Sequence, residues 1–252
     1  MNDDKAVKAY TLLTANKIKI IALAAMFFDH FVSVFLPNNE LLNLVFRFSG
    51  RVAAPVFCFC IAQGFYYTSN IKKYIARLLF FAVISHIPYN LAFGLSLSPL
   101  KATSVMWPLA MGLIALTAVK SEKINIILKL AIVAVCCIVS YTANWYFVAV
   151  LWILGFGIFR GNFKRQVAAF CIVGFVHLIW QLRRYGFFHE TNPQWFQLGI
   201  FLTIPLLVMF NGKPGKKSRF MTWFFYLFYP AHLILLFLLN KFTPLAEVIG
   251  RL

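Results

Sequence analysis

The chain has 252 residues, of which 62% are hydrophobic and only 12% charged, where a soluble domain has about 45–50% apolar and about 25% charged residues. With mean hydropathy +0.79 and net charge +17, this composition excludes a soluble globular protein, a disordered chain and a disulfide scaffold. It leaves an integral membrane protein whose basic excess comes from Lys and Arg anchoring cytoplasmic loops, with no nucleic-acid partner.

Nine apolar segments are predicted to cross the bilayer, at about 20 residues each. They lie near residues 17–36, 41–66, 71–94, 103–119, 124–141, 144–159, 166–182, 195–210 and 221–240. The first run is not a cleavable leader, because it contains Asp29-His30 and no small-x-small site follows it. Basic residues cluster in alternate connections, from Lys17 and Lys19, through Lys72, Lys73 and Arg77, to Lys213, Lys216, Lys217 and Arg219. The expectation is therefore an all-α polytopic bundle, residues 1–252 forming one domain, with the N-terminus cytoplasmic and the C-terminus outside. The loops are short and no internal repeat is visible, so any chemistry belongs inside the bundle or at its mouths.

In the first span, Asp29 is an isolated carboxylate at bilayer depth, which costs about 2.5–3.5 kcal/mol on insertion scales. It needs a partner, a proton or a wet cavity. Arg47 and Arg51 in the second span are four apart and share one helix face, so they are the candidate partners. Read structurally, this is a pair pinning spans one and two. His30 follows Asp29 and points about 100° away, toward a different part of any cavity.

The second span continues Gly50-Arg51-Val52-Ala53-Ala54-Pro55. Gly50 and Ala54 form a small-x-x-x-small face, and Pro55 predicts a kink beside Arg51. Four histidines, His30, His86, His177 and His232, fall in spans running inside to outside, each about 16–22 Å from the cytoplasmic end. Together with Asp29 and Arg51 they predict a polar cavity near mid-membrane, His30, His86 and His232 ranking ahead of His177. No His-x-x-x-His or Glu-x-x-His pair is present, so no metal is expected. The five cysteines all lie in apolar runs and read as small core residues.

In the last span, Tyr226, Tyr229 and His232 are three apart and form a slanting stripe. The loop before it, Asn211-Gly212-Lys213-Pro214-Gly215-Lys216-Lys217, is either a plain cytoplasmic anchor or a phosphate-receiving turn.

Four stretches taken in order resemble the TraX family of polytopic membrane proteins over nearly the whole chain. They are Ile18-Lys19-Ile20-Ile21-Ala22 leading to Met26-Phe27-Phe28-Asp29-His30; Gly50-Arg51-Val52-Ala53-Ala54-Pro55-Val56-Phe57; Ser85-His86-Ile87-Pro88-Tyr89-Asn90; and Asn211-Gly212-Lys213 with Phe225-Tyr226-Leu227-Phe228-Tyr229-Pro230-Ala231-His232. His86 departs from a glutamate common in the family, and Asn144-Trp145-Tyr146 stands where relatives often carry Asp-Tyr-Gly.

The resemblance implies a conjugative-pilin acetylase-like protein of the bacterial inner membrane, related to membrane-embedded acyltransferases. It implies cytosolic acetyl-CoA as acyl donor and a pilin N-terminus or an envelope glycan as acceptor. On this reading His30, Asp29, Arg51, His232 and Tyr229 are catalytic candidates, with His30 the base and His232 its competitor. His86, Arg47, Tyr226 and Asn90 would bind substrate, and Lys213, Lys216 and Lys217 would receive the coenzyme A nucleotide. Two rivals remain. One is a proton-coupled transporter or flippase using the intramembrane Asp and histidines as a relay. The other is a non-catalytic membrane protein of pilus or envelope assembly.

Overall fold

The computed structural model describes residues 12–36, 40–185, 194–216 and 218–242. Among them the chain is helical, with two isolated bridges, Leu13 to Phe210 and Thr103 to Ala143, in place of strands. The elements are α1 (Ala15–Phe35), α2 (Glu40–Gly50), α3 (Ala53–Tyr67), α4 (Ile71–Ala92), α5 (Met106–Lys120), α6 (Ile126–Val139), α7 (Tyr146–Ile158), α8 (Phe163–Tyr185), a 3-10 helix (Gln194–Leu202), α9 (Thr203–Val208) and α10 (Arg219–Phe242). Each expected span has its helix, so the chain is a polytopic helical membrane protein. Two of the nine are composite: residues 41–66 form α2 and α3, and residues 195–210 form the 3-10 helix and α9.

Side-chain caps start the helices at the basic face. Thr14, Asn70, Asn125 and Asn162 each accept a hydrogen bond from the backbone N–H three residues on, opening α1, α4, α6 and α8. Among the described residues, five spans are long and apolar enough to cross a bilayer, namely Ala15–Phe35, Leu41–Tyr67, Ile71–Ala92, Phe163–Tyr185 and Arg219–Phe242. The rest are shorter. At about 1.5 Å per residue α7 covers only about 20 Å, less than the roughly 30 Å hydrocarbon layer. It sits among α3, α5, α6 and α8, with Val148, Ala149, Val150, Ile153 and Phe156 buried. Packed by protein, α7 has no thickness of lipid to match. By contrast α6 buries only Cys136 and presents Ile126, Ile127, Leu130 and Ile138 outward, as a lipid-facing helix would.

The bundle closes on itself at the basic end. Leu13 N–H donates to Met209 O, Asn211 N–H to Leu13 O, Ala15 N–H to Lys213 O and Asn16 N–H to Pro214 O. Gly212 and Gly215 take φ of +75° and +89° in this turn, the left-handed region where a Cβ is disfavoured. The opposite end is tied by Thr142 Oγ1 donating to Pro99 O and Trp107 Nε1 donating to Val139 O. All five cysteines are free thiols, with Cys58, Cys60 and Cys136 buried and Cys137 and Cys171 half-buried.

Candidate functional site

Pro55 has no N–H to give the carbonyl of Arg51, and the second span breaks between Gly50 and Ala53. The break leaves Arg51 at the end of α2, facing α1. Its Nη2 donates to Asp29 Oδ2 at 2.8 Å, and its Nε donates to Arg47 O at 3.3 Å. Asp29 is 5% exposed, so this is a buried ion pair that neutralises a carboxylate where water is scarce. Gly50 makes the approach possible, because a Cβ there would collide with Asp29 Cβ. The guanidinium of Arg47 lies 4.2 Å from the centre of the Phe196 ring, and that of Arg51 lies 5.2 Å from Trp145 and from Phe196. Phe196 is held there by the 3-10 helix, whose Gly199 backs onto the Phe48 carbonyl so closely that a Cβ would overlap it.

His30, behind Asp29, meets the last span. Its Nδ1 lies 2.9 Å from His232 Nε2, with the two rings nearly parallel at 10°. His232 Nδ1 lies 2.8 Å from Phe228 O. A carbonyl oxygen only accepts, so His232 Nδ1 carries the hydrogen. In the neutral ring His232 Nε2 is then an acceptor and His30 Nδ1 must donate to it. The chain of bonds therefore leaves His30 Nε2 with its lone pair available, and it has no hydrogen-bond partner among the described residues. Among those residues no three His, Cys, Asp or Glu side chains converge into a metal-holding group.

Three cavities run in series through the bundle. The first, about 580 Å³, opens at the basic end and is lined by Lys19, Arg77, Lys216 and Arg219 with Tyr74 and Tyr226. Met26, Phe57, Val105 and Tyr229 are shared between it and the second cavity, about 380 Å³, which holds Asp29, His30, Ser33, Arg47 and Arg51. Arg47, Arg51, Asn144 and Trp145 are in turn shared with a third, about 220 Å³, lined by His177, Gln181, Gln194 and Gln197 toward the opposite end. Asp29 and His30 thus line the middle of three cavities that share wall residues, with His232 packed against His30. Tyr229, which lines both of the first two cavities, has a buried hydroxyl that makes no well-formed hydrogen bond, with Ser104 and the Val105 backbone as its polar neighbours.

Asp29, His30, Arg47, Arg51 and Tyr229 meet in the middle cavity, and His232 supports His30 from behind. His86 and Asn90 line none of the three cavities. His86 Nε2 is 2.7 Å from Leu97 O, and Asn90 Nδ2 donates to His86 O, so together they brace the loop after α4. Tyr226 stacks on Phe81 at 5.1 Å and lines the basic cavity, away from His232. Lys216 lines that cavity, and the Lys213 backbone is tied to α1. Lys217 lies outside the described residues. The structure adds Lys19, Arg77 and Arg219 to the basic mouth, and Trp145, Gln181, Gln194 and Gln197 to the outer cavity. Trp145 and Tyr146 both have positive φ, +69° and +46°, a costly backbone state for such large side chains.

The description "TraX protein" matches residues 14–240 of the chain. A curated relative from Dichelobacter nodosus, named probable fimbrial assembly protein FimC, serogroup H1, is 29% identical over 233 residues, covering 88% of this chain and 94% of the relative. No solved structure matches.

Proposed function

The chain belongs to the TraX family, and from that premise we propose that it is an acyltransferase of the bacterial inner membrane. It moves an acetyl group from cytosolic acetyl-CoA to an amine or hydroxyl presented from the other face, on a pilin N-terminus or an envelope glycan. The observation that carries this reading is the passage itself: a cationic mouth, a central imidazole with a free lone pair, and a polar chamber beyond. The donor's phosphates meet Lys19, Arg77, Lys216 and Arg219, and its thioester arm reaches past Tyr229.

His30 Nε2 takes the acceptor proton as the acceptor atom attacks the thioester carbonyl carbon. The carbon–sulfur bond breaks, and the thiolate leaves with that proton. As His30 becomes cationic, His232 keeps its Nδ1–H bonded and its ring oriented, a positioning role. Tyr229 O–H donates to the oxygen on which charge develops, and Arg51, held by Asp29, adds positive potential. The decisive measurement is coenzyme A thiol release by the protein in proteoliposomes supplied with acetyl-CoA. Acceptor-dependent release that disappears with His30→Ala supports the reading. Full release by the variant ends it.

The Dichelobacter nodosus relative, named for fimbrial assembly, favours one second reading, a membrane protein of pilus assembly with no chemistry of its own. That reading requires assembly to survive His30→Ala, Arg51→Ala and His232→Ala alike.

A further inference from the structure

The third cavity contains buried polar atoms with nothing to bond. His177 is 2% exposed, and neither of its ring nitrogens makes a well-formed hydrogen bond among the described residues, although the Gln197 side chain lies beside it. Gln181 Oε1, Gln197 Oε1 and Arg47 Nε are likewise buried and unpartnered there. All four residues line the same space, with Trp145 and Phe196 supplying aromatic walls. Leaving several buried polar groups unpaired is unfavourable, so a cluster of them at one cavity calls for a polar occupant.

The kinds of orphan select the ligand. Two amide oxygens need donors. The Arg47 N–H needs an acceptor. A neutral His177 needs one of each. A protonated amine brings donors alone and adds positive charge beside Arg47. A phosphate brings acceptors alone and leaves the amide oxygens unmet. A hydroxyl both donates and accepts, and neighbouring hydroxyls on one ring can meet several such groups at once. The apolar face of a sugar ring also packs on aromatic side chains. At about 220 Å³ the space is smaller than the roughly 300–1,000 Å³ of a drug-sized site, and suits one small polar unit.

We propose that this outer cavity binds a neutral, hydroxyl-rich sugar and that a hydroxyl of this sugar is the acyl acceptor. The binding site stands on the orphaned side chains, and its role as acceptor site rests on the transferase reading above. Written out, the sugar O–H gives its proton to His30 Nε2, the oxygen–carbonyl carbon bond forms and the carbon–sulfur bond breaks. The products are the O-acetyl sugar and coenzyme A thiol, which carries the proton away.

The test uses the full chain in lipid nanodiscs, titrated with maltotriose, lactose and chitotriose, with a synthetic octapeptide bearing a free N-terminal amine, and with inorganic phosphate. Binding is followed by saturation-transfer NMR. At least one saccharide is expected to bind at millimolar concentration. Its affinity should fall about tenfold or more in His177→Phe and in Gln181→Leu, while Gln197→Asn retains more affinity than Gln197→Leu and Lys216→Gln is unaffected. Unchanged melting temperatures exclude misfolding as the cause, and the Asn/Leu pair at position 197 decides where a variant is unstable. Failure of all three saccharides to bind overturns the proposal. So does binding indifferent to these variants, or occupancy by the peptide or phosphate alone. Coenzyme A release separates the two readings: release with the peptide but with no saccharide rejects the sugar and keeps the transferase. Side-chain-dependent saccharide binding without any thioester cleavage keeps the sugar site and rejects the transferase.

Discussion

The two ends of the passage are made of different chemistry. The basic mouth collects Lys19, Arg77, Lys216 and Arg219 around tyrosines, whereas the far chamber collects His177 and three glutamines around Trp145 and Phe196. Fixed positive charge attracts a fixed negative charge at a distance, in a manner that salt weakens. Amides and a neutral imidazole act only at contact, by matching donors to acceptors. A symmetric pore would carry the same groups at both ends. This asymmetry fits two different molecules arriving from opposite sides and meeting at His30.

The comparison breaks most readily at its midpoint. His30→Ala should lower acetyl transfer about 10²- to 10⁴-fold, measured as coenzyme A release, while leaving saccharide binding intact. His232→Ala should cost about 10- to 100-fold, because the His30 tautomer is no longer imposed. Equal losses from both variants would mean that the two rings act as one unit. Asp29→Ala strands the mostly buried Arg51 and should destabilise the protein by up to about 3–5 kcal/mol, read from thermal unfolding in detergent. The double variant Asp29→Leu/Arg51→Met should melt above either single one, since neither member of the pair is then left without the other and Arg47 keeps its contact with the Phe196 ring. Gly50→Ala pushes α2 off α1 and should cost about 1–3 kcal/mol. The smallest effect separates the two ends. Lys19→Gln or Lys216→Gln should each raise the KM for acetyl-CoA about fivefold, at about 1 kcal/mol per charge, with kcat held. Added salt should mimic them, and neither should alter occupancy of the outer chamber.

Much of the middle of this passage is legible in the sequence. A carboxylate in a span, two arginines one turn apart and a proline just beyond already specify a buried ion pair at a helix break. Asp29, Arg51 and Pro55 deliver that. His30 and His232 are readable as intramembrane histidines, but their contact is not, because they are 202 residues apart and periodicity orients side chains only within one helix. His86 looked equivalent by depth, yet its helix turns it toward the Leu97 carbonyl. The glutamines of the outer chamber escaped notice because Gln181 and Gln194 resemble ordinary polar helix ends. The chain's 29 phenylalanines add to the difficulty. Lipid and protein interior are equally apolar, so hydropathy does not tell a face that packs from one that meets acyl chains.

The hydrogen bonds joining residues 13–16 to residues 209–214 have a bearing on biogenesis. The segments they join are made nearly the whole chain apart, so the first helix has left the ribosome long before its partner is synthesised. Asn16, Lys19, Pro214, Gly215 and Lys216 all border the cationic mouth, which therefore takes shape only after the penultimate span has been inserted. A nascent or prematurely terminated polypeptide would have its ion pair but not its cationic mouth until translation is nearly complete.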